Sequence, residues 1–87
     1  MPTVRFTPAA ARQLEKLERP VAQRILKRIR WLSENFAALT PEPLTGKIVG
    51  LYKLRAGDYR VLYTLSDTEA EIIVHLIGHR REVYLDQ

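Results

Sequence analysis

Basic residues recur at even spacing in one stretch of this sequence, residues 50–60 (GLYKLRAGDYR), which predicts a strand, a turn and the start of a second strand. Residues two apart on a strand share a face, so Lys53 and Arg55 point the same way. A turn between residues 56 and 57 would place Lys53 opposite Arg60. Because like charges directly opposite on one sheet face are destabilising, such a pair indicates a bound anion. Our working hypothesis is that the anion is a phosphate.

A second stretch also carries side chains that could take part in a reaction. It covers residues 78–84 (GHRREVY) and follows a later predicted strand. It carries a histidine, two arginines and a tyrosine: His79, Arg80, Arg81 and Tyr84. If this tail folds back along the sheet, these side chains reach the same basic face. That face then offers cations to hold a phosphate, an imidazole able to carry a proton near neutral pH, and a phenol.

This set of side chains suits phosphodiester transfer in RNA. The 2′-OH must lose a proton and attack the adjacent phosphorus, which leaves excess charge on the non-bridging oxygens. The planar fork of arginine matches two phosphate oxygens at once, and positioned cations and acid–base groups lower the barrier. A DNA substrate would lack the nucleophile. No carboxylate cluster accompanies the two histidines, so we expect neither a metal site nor a cofactor; His75, inside an apolar strand, is predicted to be a satisfied core residue.

Composition sets the class of protein that must position these residues. The 87-residue length predicts one domain, and the net charge of +4 with a pI of about 9.8 favours nucleic acid or an acidic protein as partner. The chain has no cysteine, no apolar run of the roughly 18 residues that a spanning helix needs, and no apolar signal segment. We therefore expect a soluble, cytoplasmic protein without membrane contact.

The first half of the chain predicts a short strand and two helices. Residues 2–6 alternate, with Val4 and Phe6 on one face, and predict an edge strand. Thr7 and Pro8 then form an N-cap and first-turn signal for a helix over residues 9–18. A second helix is predicted from Pro20 to about residue 37, and its apolar stripe consists of Val21, Ile25, Ile29, Leu32 and Phe36. The short connection predicts an antiparallel helix pair.

The cationic side of the second helix has two interpretations. Arg24, Lys27, Arg28 and Arg30 lie outside the apolar stripe, beside Trp31. The side chains form either a solvated face on which Trp31 packs over arginine stems, or a patch for rRNA or an acidic partner.

The second half predicts an antiparallel meander. Residues 38–46 (ALTPEPLTG) indicate a loop, followed by strands over residues 47–55, 58–65 and 71–77, the last covered on both faces. Together the predicted fold is α+β, with the short leading strand and the helix pair on one face of an antiparallel sheet of about four strands. The side chains expected to face the helices are Tyr52, Leu54, Tyr59, Val61 and Tyr63, and those expected on the opposite face are Leu51, Lys53, Arg55, Arg60 and Leu62.

Two blocks of this sequence, LYKLRAGDYRVLY (residues 51–63) and IGHRREVY (residues 77–84), resemble the RelE/ParE toxin superfamily. The resemblance spans nearly the whole chain because the leading strand and two helices also agree in order. It implies a single domain over residues 1–87 with a RelE-like microbial RNase-type fold. It also implies a toxin of a type II toxin–antitoxin system, neutralised by an acidic RelB-like antitoxin with which it would bind operator DNA. The RelE branch enters the ribosomal A site and cleaves mRNA there, using the 2′-OH and giving a 2′,3′-cyclic phosphate.

The resemblance assigns roles by motif position. Lys53 matches a lysine of the central strand, Arg60 the arginine of the GYR-type turn (here GDYR), Arg80 the arginine after the last strand, and Tyr84 the tyrosine of the closing EVY. His79 stands where some relatives have lysine, and only one lysine occupies the first block, which often carries two. The general base is therefore open among His79, Lys53 and Tyr84. Further RNA contacts are expected from Arg55, Arg81 and Lys47. The chain ends soon after Tyr84, without the additional C-terminal helix of some relatives.

Other interpretations stay open at this stage. Arg60 could be a structural arginine paired with Asp58 or Glu71, His79 a polar cap, and Tyr84 an anchor for the tail. At the level of function, the resemblance also admits a ParE-like inhibitor of DNA gyrase, although ParE relatives generally lack the arginine–tyrosine set. A third possibility is a catalytically inert member that binds an antitoxin and acts as a co-repressor.

Overall fold

The computed structural model of the chain describes residues 1–44, 50–68 and 70–85, with residues 84 and 85 described by their backbone. The predicted RNA contact Lys47 lies outside these residues. The elements in chain order are β1 (Thr3–Phe6), α1 (Pro8–Glu15), α2 (Arg19–Glu34), a 3-10 turn (Phe36–Ala38), β2 (Glu42–Pro43), β3 (Tyr52–Ala56), β4 (Tyr59–Leu65), β5 (Glu71–His79) and α3 (Arg80–Leu85).

The strands of the described residues form one five-stranded sheet in the order β1-β5-β4-β3-β2. The predicted α+β class and the β3–β4–β5 meander are confirmed, whereas the expected sheet of about four antiparallel strands is corrected in two respects. First, β1 pairs with β5 in parallel, because the helices carry the chain to the far edge and the meander returns beside β1 in the same direction. Second, Glu42 and Pro43, predicted as loop, form β2 at the sheet edge, where proline is tolerated.

Local capping sets the helix bounds. Pro8 opens α1, and Thr7 caps it by accepting the Ala10 N–H on its Oγ1 at 3.2 Å. α2 ends at Glu34 with Asn35 as its C-cap, whose backbone N–H (3.0 Å) and side-chain amide (2.9 Å) both donate to the Trp31 carbonyl oxygen. The second helix therefore ends about three residues earlier than predicted, and the 3-10 turn continues the chain.

The main core lies between the two longer helices and the sheet. The stripe of α2 supplies Ile25, Ile29 and Leu32, and β4 supplies Val61 and Tyr63. Leu54 is also buried there, while Tyr52 and Tyr59 pack against the cluster, so the predicted helix-facing set is confirmed. Burial, followed by the charges of Tyr52 and Glu42, raises the pKa of Tyr63 to about 12. That phenol therefore stays protonated and uncharged at neutral pH.

The central strand pair contains an irregularity that overturns one prediction. Leu62 pairs with Leu76 but Tyr63 pairs with Val74, so His75 has no residue opposite it on β4. His75 is exposed, and its Nε2 lies 2.8 Å from the Thr64 Oγ1. The prediction of a core histidine is wrong because the bulge removes it from the ladder. The outer face of β5 is also only partly covered, at Ile73 and Leu76.

The helical layer also completes the hydrogen bonding of β5. β1 pairs with β5 only as far as Phe6 and Val74, and beyond that point the Gln13 Oε1 accepts the Ile77 N–H at 2.8 Å. A side chain of α1 thus replaces the missing strand partner. Among the described helices, none is long and apolar enough to cross a membrane.

Candidate functional site

The sheet face opposite α1 and α2 carries a second, smaller apolar cluster. Leu44, Leu62 and Val83 are buried there, with Leu51 and Leu76 packed against them. Val83 comes from α3, which contacts β4 and β5. Gly78 permits this close approach, since a Cβ at that position would lie 3.2 Å from the Val83 Cγ2. The residues predicted as a tail folding back therefore form a short helix that covers the apolar end of this face.

The β3–β4 hairpin, which carries most of the predicted cations, has a different register from the predicted one. Ala56 pairs with Tyr59, so Gly57 and Asp58 form the turn. Gly57 has a φ of +62°, the left-handed conformation that a glycine adopts without steric cost. In this register Lys53 lies opposite Leu62, and Arg55 lies opposite Arg60. The predicted Lys53–Arg60 pair is wrong, but a like-charged pair exists in the form of Arg55 and Arg60.

Lys53 is matched by a carboxylate that sequence reasoning missed. Glu42 of β2 lies directly opposite, and its Oε1 is 3.5 Å from the Lys53 Nζ. The Lys53 side chain is 16% exposed, so its charge lies largely within the sheet face. Only the pairing of β2 with β3 reveals Glu42, since its sequence context is typical of a loop.

Arg60 is turned inward. The residue is 8% exposed, and its Nη1 donates to the carbonyl oxygens of Gly57 (2.8 Å) and Tyr59 (2.9 Å). Its Nε is buried and has no hydrogen-bond partner among the described residues. Neither proposed carboxylate partner is used, since Asp58 pairs with Arg80 and Glu71 pairs with Arg5. The guanidinium is thus directed to the backbone of the turn.

His79 ends β5 and begins the approach to α3. It lies opposite Tyr59, with the two rings edge-on and their centroids 5.6 Å apart. Its Nδ1 accepts the Arg81 N–H at 3.3 Å, so the polar-cap interpretation describes one of its contacts.

Arg80 is held by the hairpin turn. Its backbone N–H donates to the Asp58 carbonyl oxygen at 2.8 Å, and its Nε lies 3.9 Å from the Asp58 Oδ1. Its side chain is about half exposed. The same turn accepts hydrogen bonds from Arg60, so one turn connects two arginines that come from separate sequence motifs.

The structure thus brings part of the predicted set together. Arg60 and Arg80 share the turn, His79 adjoins Arg80, and the exposed Arg55 lies opposite Arg60. Lys53 is two residues away from Arg55 on the same strand. Arg81 is exposed at the start of α3, whereas Tyr84 is described only as a backbone position in that helix.

The cationic side of α2 borders the same turn from the helix layer. The Arg28 guanidinium carbon lies 4.1 Å from the centroid of the Trp31 ring, and its Nε donates to the Arg55 carbonyl oxygen at 2.9 Å. These contacts agree with the interpretation in which Trp31 packs against arginine. A cleft of about 290 Å³ remains between α2 and the turn, lined by Arg24, Lys27, Arg28, Trp31, Ala56 and Gly57.

The molecule is thus a small, basic α+β domain. Its two longer helices cover one face of the sheet, and its arginines gather at a hairpin on the opposite face. Comparison with known proteins gives its family. The family model of the ParE toxin of type II toxin–antitoxin systems matches residues 4–84. Among curated proteins, Toxin RelG of Mycobacterium tuberculosis is 35% identical over 88 residues, covering 94% of each chain, and Toxin RelE of the same organism is 30% identical over 81 residues, covering 93% of this chain and 84% of the relative. The chain therefore belongs to the RelE/ParE family and is a toxin of a type II toxin–antitoxin system.

Solved structures agree with this assignment. The toxin–antitoxin complex RelBE2 from Mycobacterium tuberculosis contains a chain with a TM-score of 0.77 and 30% identity, covering 92% of this chain and all of that one. The isolated RelE toxin of E. coli superposes with a TM-score of 0.73 at 23% identity, covering 99% of this chain and 94% of that one. The second likeness supports the fold alone.

Proposed function

We propose that this toxin is a ribosome-dependent endoribonuclease that cleaves mRNA in the A site by 2′-OH attack and thereby inhibits translation. The observation that carries the proposal is the turn at Gly57 and Asp58, which contacts both Arg60 and Arg80. Phosphoryl transfer needs positioned cations more than any other group, because charge develops on the phosphate oxygens. The named relatives RelE and RelG favour the same branch of the family.

The exposed and buried cations have different roles in this mechanism. The half-exposed guanidinium of Arg80 binds the scissile phosphate, and the exposed Arg55 and Arg81 hold the neighbouring backbone. Arg60 lies deeper and contributes charge from within the sheet face. Lys47 is a further RNA contact in this proposal.

The cleavage reaction requires proton transfers, for which His79, Lys53 and Tyr84 are available. The 2′-OH gives its proton to a general base, its oxygen bonds to phosphorus, and the bond to the 5′-oxygen breaks as that oxygen takes a proton from a general acid. The products are a 2′,3′-cyclic phosphate and a 5′-OH. His79 adjoins Arg80 at the end of β5, where an imidazole can take up or give a proton. His79, Lys53 and Tyr84 are the candidates for the general base.

An acidic antitoxin is the proposed partner in the resting cell. Several similar structures are complexes of a RelE toxin with a RelB antitoxin, and the net charge of +4 favours an acidic partner. The pair would bind operator DNA together, in the cytoplasm where the toxin meets ribosomes.

Primer extension on translated mRNA tests the proposal. We expect cleavage within codons by the wild type and a loss of about 10²–10³-fold in rate for Arg80→Ala, because a positioned donor to the transition state is removed. Arg5→Ala, which removes an exposed cation on the far strand β1, is the matched control and should cleave normally. Unchanged cleavage by Arg80→Ala would refute the proposed site.

A second candidate function follows from the family model that matches, which describes a ParE toxin. In that case the protein would inhibit DNA gyrase and leave mRNA intact. A supercoiling assay with purified gyrase separates the two, since inhibition there together with intact ribosomal mRNA would reverse our ranking. Harmless overexpression without an antitoxin would instead favour an inert co-repressor.

A further inference from the structure

The hairpin turn contains an acidic residue in a position that connects it to Arg80. The carbonyl oxygen of Asp58 accepts the Arg80 N–H at 2.8 Å, and its carboxylate Oδ1 lies 3.9 Å from the Arg80 Nε. Among the described residues this is the ion pair that Arg80 makes. The main-chain bond fixes where α3 begins, and the carboxylate lies within ion-pair distance of the guanidinium.

The backbone of the turn is held in place by the Arg60 side chain. Arg60 donates to the carbonyl oxygens on either side of Asp58, those of Gly57 and Tyr59, at 2.8 and 2.9 Å. Because Arg60 is 8% exposed, this brace lies within the folded domain. The backbone that carries Asp58 is therefore fixed beside the start of α3.

The contact between the two side chains is too exposed to serve the stability of the fold. The Arg80 and Asp58 side chains are 53% and 71% exposed, and pairs of this kind contribute little to the free energy of folding. A weak pair still biases the rotamers of a long side chain. A free arginine rotates about several bonds, and holding its guanidinium in one direction reduces this rotamer freedom. The benefit of such a bias appears when the guanidinium must meet a ligand.

We infer that Asp58 is a positioning residue for Arg80, which holds the guanidinium in the direction that receives an RNA phosphate. This role rests on the proposed contact between Arg80 and the scissile phosphate. Asp58 does not bind RNA itself, since its negative charge repels the phosphate. Loss of the carboxylate should therefore slow the chemical step without weakening the binding of substrate.

Steady-state cleavage of ribosome-bound mRNA gives the first test, with Asp58→Asn, Arg80→Ala and the double variant. We expect Asp58→Asn to lower kcat by about 2- to 5-fold with KM unchanged or lower, in line with the energy of one exposed pair. In the Arg80→Ala background the same change should have no further effect. The matched control is Asp67→Asn, an exposed carboxylate in the β4–β5 connection, which should retain the wild-type kcat.

A kcat equal to that of wild type, a rise in KM at constant kcat, or an effect that persists without Arg80 would each overturn the inference. If Arg80→Ala itself cleaves normally, the proposed function fails instead, and the two failures are thus distinguished.

A spectroscopic test is independent of cleavage. The order parameter of the Arg80 Nε–H, obtained from NMR relaxation of the labelled protein, reports how freely the guanidinium moves. We expect this order parameter to be lower in Asp58→Asn and unchanged in Asp67→Asn. An unchanged order parameter in Asp58→Asn would show that the carboxylate does not hold the guanidinium and would overturn the inference even if the enzyme is active.

Discussion

The two faces of the sheet differ in what covers them. On one face the helices bury a continuous core that includes Ile25, Val61 and Ile72, none of which is exposed. On the other face a small cluster around Leu62 and Val83 is covered by α3, and the remainder carries cations. The larger cluster on the first face therefore stabilises the fold, while the smaller cluster on the other face packs α3 against the sheet.

The difference explains how a domain of this size can present charge on a sheet. Like charges at Arg55 and Arg60 oppose folding, and burial of an arginine adds a further cost. The helix-covered core offsets both, and hydrogen bonds from Arg60 to the turn reduce the second. The cationic face thus depends on the apolar face behind it.

The largest expected effect compares one aliphatic residue from each face. Ile72→Ala should lower the free energy of unfolding by about 2–5 kcal/mol, because it leaves a cavity in the fully buried core. Leu62→Ala, in the small cluster and 8% exposed, should fall at or below the lower end of that range. Urea denaturation of both variants measures the difference. Equal losses would contradict the unequal roles of the two faces.

A second effect separates the two arginines that share the turn. Arg60→Lys should lower the free energy of unfolding by about 1–3 kcal/mol, since lysine cannot reproduce the paired contacts to the Gly57 and Tyr59 carbonyl oxygens. Arg80→Lys is the matched control and should leave stability unchanged, because that side chain is half exposed. Thermal or urea unfolding provides the measurement. A fully stable Arg60→Lys would show that the brace contributes nothing.

The smallest effect concerns Arg55, and it has opposite signs for stability and binding. Arg55→Gln should raise the free energy of unfolding by about 0.2–1 kcal/mol, because it removes the like charge opposite Arg60. The same variant should bind RNA more weakly, with the slope of log affinity against log salt smaller by about one. Arg30→Gln, an exposed cation of α2, is the control for stability. A loss of stability in Arg55→Gln would contradict the repulsion.

Features encoded by local periodicity were predictable from the sequence. The stripe of α2 and the alternation of β4 require only a repeat of three to four or two residues, and both are found as predicted. The Thr7 cap is likewise a local signal.

Features that depend on long-range pairing were not predictable. The pairing of Glu42 with Lys53 requires β2, and the prolines around Glu42 indicate a loop instead of a strand. The register of the hairpin depends on the conformation of Gly57, and a shift of the turn by one residue exchanged Lys53 for Arg55 opposite Arg60. The bulge at His75 has no signal in the apolar run around it. The sequence thus supplies a candidate set of site residues, whereas the contacts between them come from the structure.

The central claim is that the sheet face opposite α1 and α2 catalyses phosphodiester transfer in RNA. Its most direct test uses ribosome-bound mRNA with a single 2′-deoxynucleotide at the cleaved position. The matched all-ribose mRNA is the control. We predict that the wild-type toxin cuts the all-ribose mRNA to a 2′,3′-cyclic phosphate and leaves the substituted position intact, because the 2′-OH is the nucleophile. Cleavage at the deoxy position, or no cleavage of either mRNA, would contradict this claim.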